Sequence, residues 1–127
     1  MRRMLDAFNE GDTAGVVAAF DADCVVLEPP EMPDTPTDGY RGHDGIRRWF
    51  SNLRDTGGIR FETVGARADG DVVVSELIGR GAGQGSGAPF EWTTFIVSVV
   101  RGGRIARVQA FLGREDALSA ARELRRT

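Results

Sequence analysis

The hydrophobic residues of this chain change their spacing about halfway along it. Before residue 55, four apolar side chains take the i, i+3, i+4 and i+7 spacing of one helix face: Ile46, Trp49, Phe50 and Leu53. After residue 58, the segments "IRFET", "DVVVSELIGRG", "PFEWTTFIVSVV" and "RIARVQAFLG" alternate apolar with polar residues or form longer apolar runs, as strands do. Helices followed by a run of antiparallel strands indicate an α+β domain. We therefore predict a single α+β domain over residues 1–127.

The predicted elements follow the chain in a simple order. A helix over Met1–Phe8 is followed by a second helix that Asp12 caps and that runs through Phe20. A strand over Cys24–Glu28 comes next, then a proline-rich irregular loop, a third helix after "YRGHDG", four strands and a last helix from Arg114. The segment "GAGQGSGA" joins two of these strands, and "RGG" forms a hairpin turn.

Charge and composition exclude several classes of function. The chain has 127 residues, a net charge of −3 and a pI of about 5.2, whereas nucleic-acid binding requires a clustered basic surface. No apolar segment reaches the roughly 20 residues that a membrane span needs, and the N-terminus lacks the apolar core of a signal peptide. Cys24 is the single cysteine, so no internal disulfide forms. We expect a cytoplasmic protein without nucleic-acid or membrane partners.

Few residues of the chain could carry metal or nucleophilic chemistry. One histidine and one cysteine give no metal-ligand spacing, so we expect no metal site and no cofactor. The glycine-rich segment 79–87 joins two strands and fits no phosphate-binding register. His43 stands beside an aspartate at the start of the third helix, where a capping role is expected. Carboxylate chemistry remains, with Glu28 as its candidate and Tyr40 or the Trp49 indole as hydrogen-bond donors.

Three blocks of the sequence resemble the nuclear transport factor 2-like superfamily. They are "FNEGDTAGVVAAFDADCVVLEPP", "GYRGHDGIRRWF" and "GGRIARVQAFLGREDAL", and the SnoaL-like polyketide cyclases and ketosteroid isomerases come closest. The resemblance implies a curved antiparallel sheet wrapped around helices and forming a conical pocket, in a protein that forms dimers. The superfamily includes isomerases, cyclases, dehydratases, hydrolases and proteins that are not enzymes, so the fold does not fix the activity.

The resemblance identifies a catalytic base but not the rest of an isomerase site. The general base of the isomerases is an acidic residue just before the proline that ends the first strand, and here that residue is Glu28. The oxyanion tyrosine falls on Met4, two supporting tyrosines fall on Phe20 and Phe50, and the protonated aspartic acid falls on Phe95. Loss of even one oxyanion donor typically lowers the rate by about 10²–10³. A steroid isomerase of the usual kind is therefore not expected.

The resemblance also assigns side chains to the two faces of the sheet. The candidate ligand-binding residues assigned to the pocket are Phe20, Val26, Trp49, Phe50, Thr93, Phe95, Val97, Val108, Ala110 and Leu112. The alternate residues assigned to the convex face are Trp92, Thr94, Gln109 and Phe111. We expect a homodimer through that face, centred on Trp92 and Phe111. Because strand side chains alternate, a one-residue error in the alignment exchanges the two sets. Glu76 and Arg80 share a face that the alignment does not identify.

Two functions of different classes fit these residues. The first is a SnoaL-like enzyme of the isomerase, cyclase, dehydratase or hydrolase type, with Glu28 and Tyr40 as catalytic residues and a small apolar ring-containing molecule as substrate. The second is a non-catalytic dimeric module that binds a small hydrophobic ligand. The number of polar side chains that face the pocket decides between them, because catalysis generally needs a base and a charge stabiliser. Glu28 lies either inside the cavity, where burial raises its pKa, or in solvent where a strand ends.

Overall fold

Four helices and six strands make up the described part of the chain. The computed structural model describes residues 2–29, 39–54, 58–82 and 87–126. The helices are α1 (Arg2–Glu10), α2 (Thr13–Ala18), α3 (Gly42–Arg54) and α4 (Arg114–Arg126). The strands are β1 (Phe20–Leu27), β2 (Tyr40–Arg41), β3 (Arg60–Asp69), β4 (Val72–Ala82), β5 (Pro89–Arg101) and β6 (Arg104–Phe111). Most of the predicted proline-rich loop and part of the glycine-rich connection lie outside the described residues.

The strands form one curved sheet in the order β2–β1–β6–β5–β4–β3. Strands β3 to β6 follow one another as an antiparallel meander, and β2 pairs antiparallel with β1. Strand β1 lies beside β6 and runs parallel to it. A parallel pair is possible here because β1 and β6 are far apart in the chain, whereas a tight hairpin would make them antiparallel. The predicted α+β fold with a curved sheet is confirmed, with one parallel pair in a sheet that we expected to be antiparallel.

The start of β1 differs from the sequence prediction. Asp12 caps α2 as predicted, because its side chain accepts a hydrogen bond from the backbone N–H of Gly15 at 3.0 Å. Helix α2 ends at Ala18, however, and Phe20 begins β1 opposite Ile105. The Phe20 side chain is 1% exposed. Burial of this ring between the sheet and the helices favours a strand over the further helical residues that the sequence predicted.

Helices cover both faces of the sheet. We call the face under α1, α2 and α3 the inner face, and it corresponds to the predicted pocket side; its buried sheet residues include Cys24, Val26, Leu77, Ile105 and Val108. We call the face under α4 the outer face. Its apolar cluster consists of Val72, Val74, Phe95, Val97 and Phe111 on the sheet and Ala117, Ala121 and Leu124 on α4.

The two faces of strand β5 are exchanged relative to the prediction. Residues predicted to face inward point outward, and residues predicted to face outward point inward. Its pairing with β6 sets Phe95 opposite Phe111 and Val97 opposite Gln109. Directly opposed residues point to the same face, and Phe95, Val97 and Phe111 all belong to the outer cluster. The prediction that Phe95 and Val97 face the pocket is therefore wrong. The same correction applies to Thr93, which precedes Phe95 by two residues on this strand.

Trp92 lies on the inner face and not at a convex contact. Its ring packs against Phe61 and Phe90, with 5.8 and 5.7 Å between ring centroids. Phe111 lies on the other face, in the cluster under α4, so the two residues cannot form the centre of one dimer contact. The error has a physical origin: β5 is apolar on both faces, and hydrophobic alternation does not fix its register.

The inner packing can be tested at Gly79, which lies directly opposite Trp92. A Cβ atom built on Gly79 lies 2.6 Å from the Trp92 ring. We expect Gly79→Ala to lower the free energy of unfolding by about 1–3 kcal/mol, because the indole must shift within a packed core. Gly65→Ala is the matched control, since its Cβ has nothing within 4 Å, and should change stability by no more than about 0.5 kcal/mol. Urea denaturation measures both, and equal effects would contradict this packing.

Candidate functional site

Glu28 stands where an apolar strand leaves the sheet. Cys24 and Val26, four and two residues before it, are 1% and 2% exposed and belong to the inner cluster. Alternation along the strand therefore directs Glu28 toward the same face. Pro29 follows at once and cannot donate a backbone hydrogen bond to continue the strand. The result is a half-buried carboxyl group at the edge of the inner cluster.

A tryptophan on α3 donates a hydrogen bond to this carboxyl group. The distance from Trp49 Nε1 to Glu28 Oε1 is 2.6 Å. The indole is 8% exposed and packs against the rings of Phe8 and Phe20, with centroid distances of 6.0 and 6.3 Å. These aromatic contacts hold the indole, so α3 fixes the orientation of one carboxylate oxygen. Among the described residues, Trp49 is the group that hydrogen-bonds the Glu28 side chain.

Burial raises the pKa of the Glu28 carboxyl, and the Trp49 hydrogen bond opposes part of that rise. The net direction is upward, because removal of the charged form from water outweighs one donor. A carboxyl whose folded pKa exceeds its unfolded pKa stabilises the fold below the unfolded value. That contribution is lost as the pH rises through the folded pKa. Glu28 therefore lowers stability at neutral pH, as a carboxyl group removed from water does and a solvated strand end does not.

Tyr40 is buried close to the same strand. It lies opposite Val26 in the pairing of β2 with β1 and is 5% exposed. Its hydroxyl oxygen accepts a hydrogen bond from Asn52 Nδ2 at 3.1 Å, and the guanidinium of Arg48 lies 5.5 Å from the ring centroid. Because Asn52 Nδ2 donates, the Tyr40 hydroxyl keeps its own proton for another acceptor. No hydrogen bond between Tyr40 and Glu28 is found among the described residues.

Several predicted lining residues surround this region. The inner cluster contains Phe20, Val26, Trp49, Phe50 and Val108. Ala110 also faces inward, opposite Ile96, whereas Leu112 lies just beyond β6 and is 42% exposed.

The inner cluster also contains Phe8, an aromatic residue that the sequence analysis did not assign to the pocket. Phe8 on α1 contacts Trp49, Phe50 and Phe61, the last two with centroid distances of 5.1 and 5.2 Å. The sequence places Phe8 at helical spacing with Met4 and Leu5 but gives no indication of which side chains it contacts.

Two buried serines on the inner face were also missed. Ser75 and Ser98 are 1% and 0% exposed, and neither hydroxyl has a hydrogen-bond partner among the described residues. Ser98 lies opposite Val108, which lies opposite Val26, so the three residues form one row across the sheet. An unsatisfied buried hydroxyl costs about 1–3 kcal/mol. The only sequence signal was a serine within each of the apolar runs "VVVSEL" and "FIVSVV".

The remaining candidates have structural contacts. His43 Nε2 lies 3.0 Å from the Phe20 carbonyl oxygen, and because a carbonyl only accepts, this nitrogen carries the proton. Burial raises the pKa of the Cys24 thiol, which therefore remains protonated.

Over residues 2–29, 39–54, 58–82 and 87–126, no group of three histidine, cysteine or acidic residues could hold a metal ion. Within the same ranges, no helix is long and apolar enough to cross a membrane.

Glu76 and Arg80 both lie on the outer face, away from Glu28. Glu76 is opposite Phe95 and forms an ion pair with Arg114 at 2.7 Å. Arg80 binds Glu91 and Glu62 instead of Glu76. An open groove of about 690 Å³ between β3, β4 and α4 includes Glu76 in its lining, but not Glu28. The outer face therefore contains these ion pairs, and Glu28 belongs to the inner face.

The sequence matches the profile of the SnoaL-like domain over residues 1–108. The chain belongs to the SnoaL-like family. The position of Glu28 before the proline that ends β1 lies within the matched region, and so do β2, α3 and most of the sheet. A search of curated proteins found no match.

Solved structures of similar fold cover most of the chain. A hypothetical protein from Catenulispora acidiphila with a ketosteroid isomerase-like fold, in complex with trimethylamine, has a TM-score of 0.76 and 17% identity, over 94% of this chain and 89% of its own. TerC, co-crystallised with polyporic acid, has a TM-score of 0.77 and 17% identity, over 95% and 94%. RV0760c from Mycobacterium tuberculosis, in complex with estradiol-17β-hemisuccinate, has a TM-score of 0.77 and 14% identity, over 90% and 91%. These likenesses establish a shared fold.

Replacement of Trp49 tests the electrostatics of this site. The indole N–H stabilises the charged form of Glu28, so Trp49→Phe should raise the pKa of Glu28 further. Trp92→Phe is the matched control: it also changes a tryptophan of the inner face, but one that packs against Phe61 and Phe90, and it should leave this pKa unchanged. NMR titration of the Glu28 carboxyl carbon measures both variants. A lower or unchanged pKa in Trp49→Phe would show that the hydrogen bond does not form in solution.

Proposed function

We propose that this protein is a metal-independent acid–base enzyme of the SnoaL-like family that acts on a small, mostly apolar, ring-containing molecule. The observation that carries the proposal is the Glu28 carboxyl group, half-buried in apolar surroundings and oriented by Trp49 at 2.6 Å. Burial moves its pKa upward, toward the pH range in which a carboxyl group both accepts and returns a proton efficiently. The apolar and aromatic inner cluster supports a hydrophobic substrate.

In this mechanism Glu28 takes a proton from a carbon or oxygen atom of the substrate and returns it at a second position. Trp49 holds one carboxylate oxygen, which leaves the other oxygen for the substrate. Tyr40 is the proposed second catalytic residue, with its ring fixed by burial, its hydroxyl oxygen bound to Asn52 and its own proton available to the substrate. Binding of a substrate oxygen by this hydroxyl would stabilise negative charge that develops during proton removal.

The buried serines extend the proposed site across the sheet. Ser98 lies two strands from Val26 in the same inner row, which corresponds to about 10 Å at the usual strand spacing. A ring-containing molecule of that length could place one end at Glu28 and an oxygen atom at the Ser98 hydroxyl. Such a contact would satisfy a hydroxyl that has no partner among the described residues.

A second candidate is a binding module that does not turn its ligand over. It is favoured by the small molecules bound to the similar structures, which are trimethylamine, polyporic acid and estradiol-17β-hemisuccinate. A binding module would use Glu28 and Trp49 to orient a ligand through hydrogen bonds, with no proton transfer. The enzyme needs the Glu28 carboxylate to transfer a proton, whereas the binding module needs Glu28 only to bind its ligand.

Glu28→Gln tests the enzyme proposal. The amide keeps the shape and the acceptor for Trp49 but cannot take a proton, so proton transfer should fall by at least about a hundredfold. The probe is 2-tetralone, a small bicyclic ketone, and NMR follows deuterium incorporation next to its carbonyl group in D₂O.

The matched control for this experiment is Glu123→Gln, which changes an exposed carboxylate on α4 and should exchange like the wild type. Equal exchange in the wild type and Glu28→Gln would remove Glu28 as the base. Binding of 2-tetralone without exchange above the solvent rate would favour the binding module.

Ser98→Ala separates ligand binding from folding. Because its hydroxyl lacks a partner among the described residues, removing it should leave the free energy of unfolding unchanged or raise it by about 1 kcal/mol. The Kd for 2-tetralone should rise by about fivefold, equivalent to one lost hydrogen bond. Ser119→Ala on the exposed surface of α4 should change neither quantity. Chemical denaturation and NMR titration give the two values, and a destabilised variant with unchanged affinity would show a purely structural role.

A further inference from the structure

The open groove of about 690 Å³ between β3, β4 and α4 has an apolar floor. The sheet contributes Val72, Val74 and Phe95 to it, and α4 contributes Leu118 and Ala121 as one wall. Val72 and Phe95 are buried, whereas Leu118 is exposed. The groove therefore presents apolar surface to solvent, and its volume lies in the usual range of small-molecule sites.

Two ion pairs stand at the ends of this groove. Arg125 pairs with Asp69 at 2.8 Å, and Arg114 pairs with Glu76 at 2.7 Å. Asp69 lies opposite Val72, so the two pairs are four residues apart along β4, which is about 13 Å at the usual rise of a strand. Within each pair the two charges balance, so neither end of the groove has a net charge.

Arg67 stands between the two ion pairs and has no such balance. It lies opposite Val74 on β4, and its side chain therefore points to the outer face with that residue. It is exposed and forms no ion pair among the described residues. Three arginines and two acidic residues line the groove, a net charge of +1 on a chain whose net charge is −3. The groove is thus locally positive on a protein that is negative overall.

Gly65 leaves space in the groove on the β3 side. It lies opposite Glu76, so a side chain at this position would point to the outer face. A Cβ atom built on Gly65 has nothing within 4 Å. A ligand that reaches Arg67 therefore meets no side chain from the residue two positions before it.

We propose that this groove is a second binding site, and that its ligand is a small aromatic molecule with a single negative charge. The aromatic ring lies over Val74 and Phe95 and against Leu118, and the anionic group accepts hydrogen bonds from Arg67. A guanidinium group donates two parallel N–H bonds to a carboxylate, which suits one unpaired arginine to one anionic group. An aromatic ring fits because guanidinium groups pack on ring faces, as that of Arg114 does on Phe95 at 5.5 Å from the ring centroid.

The groove is separate from the proposed catalytic site. Glu28 lies toward the inner face with Trp49, and the sheet stands between that face and the groove. Failure of a ligand to bind in the groove would therefore not bear on the role of Glu28, and failure of the proton-transfer test would not bear on the groove.

NMR titration with 2-naphthoate tests the proposal. This aromatic carboxylate should shift the backbone amide signals of the groove in a saturable manner, among them those of Arg67, Val74 and Leu118. 2-Naphthamide has nearly the same shape but no charge, and it should bind about fivefold more weakly, the effect of one exposed contact between charges. Equal affinities for the two compounds, or shifts confined to the surroundings of Glu28 and Trp49, would overturn the proposal.

Two variants separate the charge from the shape of the groove. Arg67→Gln should bring the affinity for 2-naphthoate down to that for 2-naphthamide, whereas Arg104→Gln, an exposed change at the β5–β6 hairpin, should keep the wild-type difference. Gly65→Leu should weaken the binding of both compounds at least about tenfold, because its side chain occupies the groove. Thr63→Leu is its matched control, since Thr63 lies opposite Leu77 on the inner face, and it should bind both compounds like the wild type.

Circular dichroism shows whether each variant is folded. A folded Arg67→Gln that still prefers 2-naphthoate, or a folded Gly65→Leu that binds both compounds like the wild type, would overturn the proposal.

Discussion

The sheet of this protein is apolar on both faces, and the position of each helix follows from that condition. Strand β5 places Phe95 and Val97 on the outer face and Trp92 and Ile96 on the inner face. Exposure of either set to water would cost about 25 cal/mol for each Å² of apolar surface. Helices α1, α2 and α3 cover the inner face, and α4 covers the outer face over β4, β5 and β6. The outer face of these three strands is thus covered within the chain.

Local chemistry made parts of this fold predictable from the sequence. Asp12 caps a helix because its side chain satisfies a backbone N–H that helix geometry leaves free, and this holds wherever the helix packs. The turn after β5 contains Gly102 and Gly103 with φ of 58° and 78°, which matches the backbone twist of a tight hairpin. Glu28 stood out because an apolar strand, an acid and a proline are adjacent in the chain, and the family resemblance made it the candidate base.

Other features depend on contacts between distant segments and were not predictable. The register of β5 is one example, since either choice buries apolar side chains and only the pairing with β6 decides between them. Ser75 and Ser98 are another, because a serine in an apolar run is compatible with a solvent-facing or a buried position. The Asn52 contact to Tyr40 joins α3 to β2, and neither residue type indicates the other as its partner.

Helix α3 connects the proposed chemistry to the packing of the protein. Four of its side chains contact β1, β2 or the residue that follows β1: His43, Arg48, Trp49 and Asn52. Any ligand that displaces this helix from β1 also breaks the indole hydrogen bond and increases the proton affinity of Glu28. Ligand uptake and proton uptake then become one linked equilibrium, in which each increases the affinity for the other. Through this linkage, a single helix displacement would make ligand affinity depend on the pH of the solution.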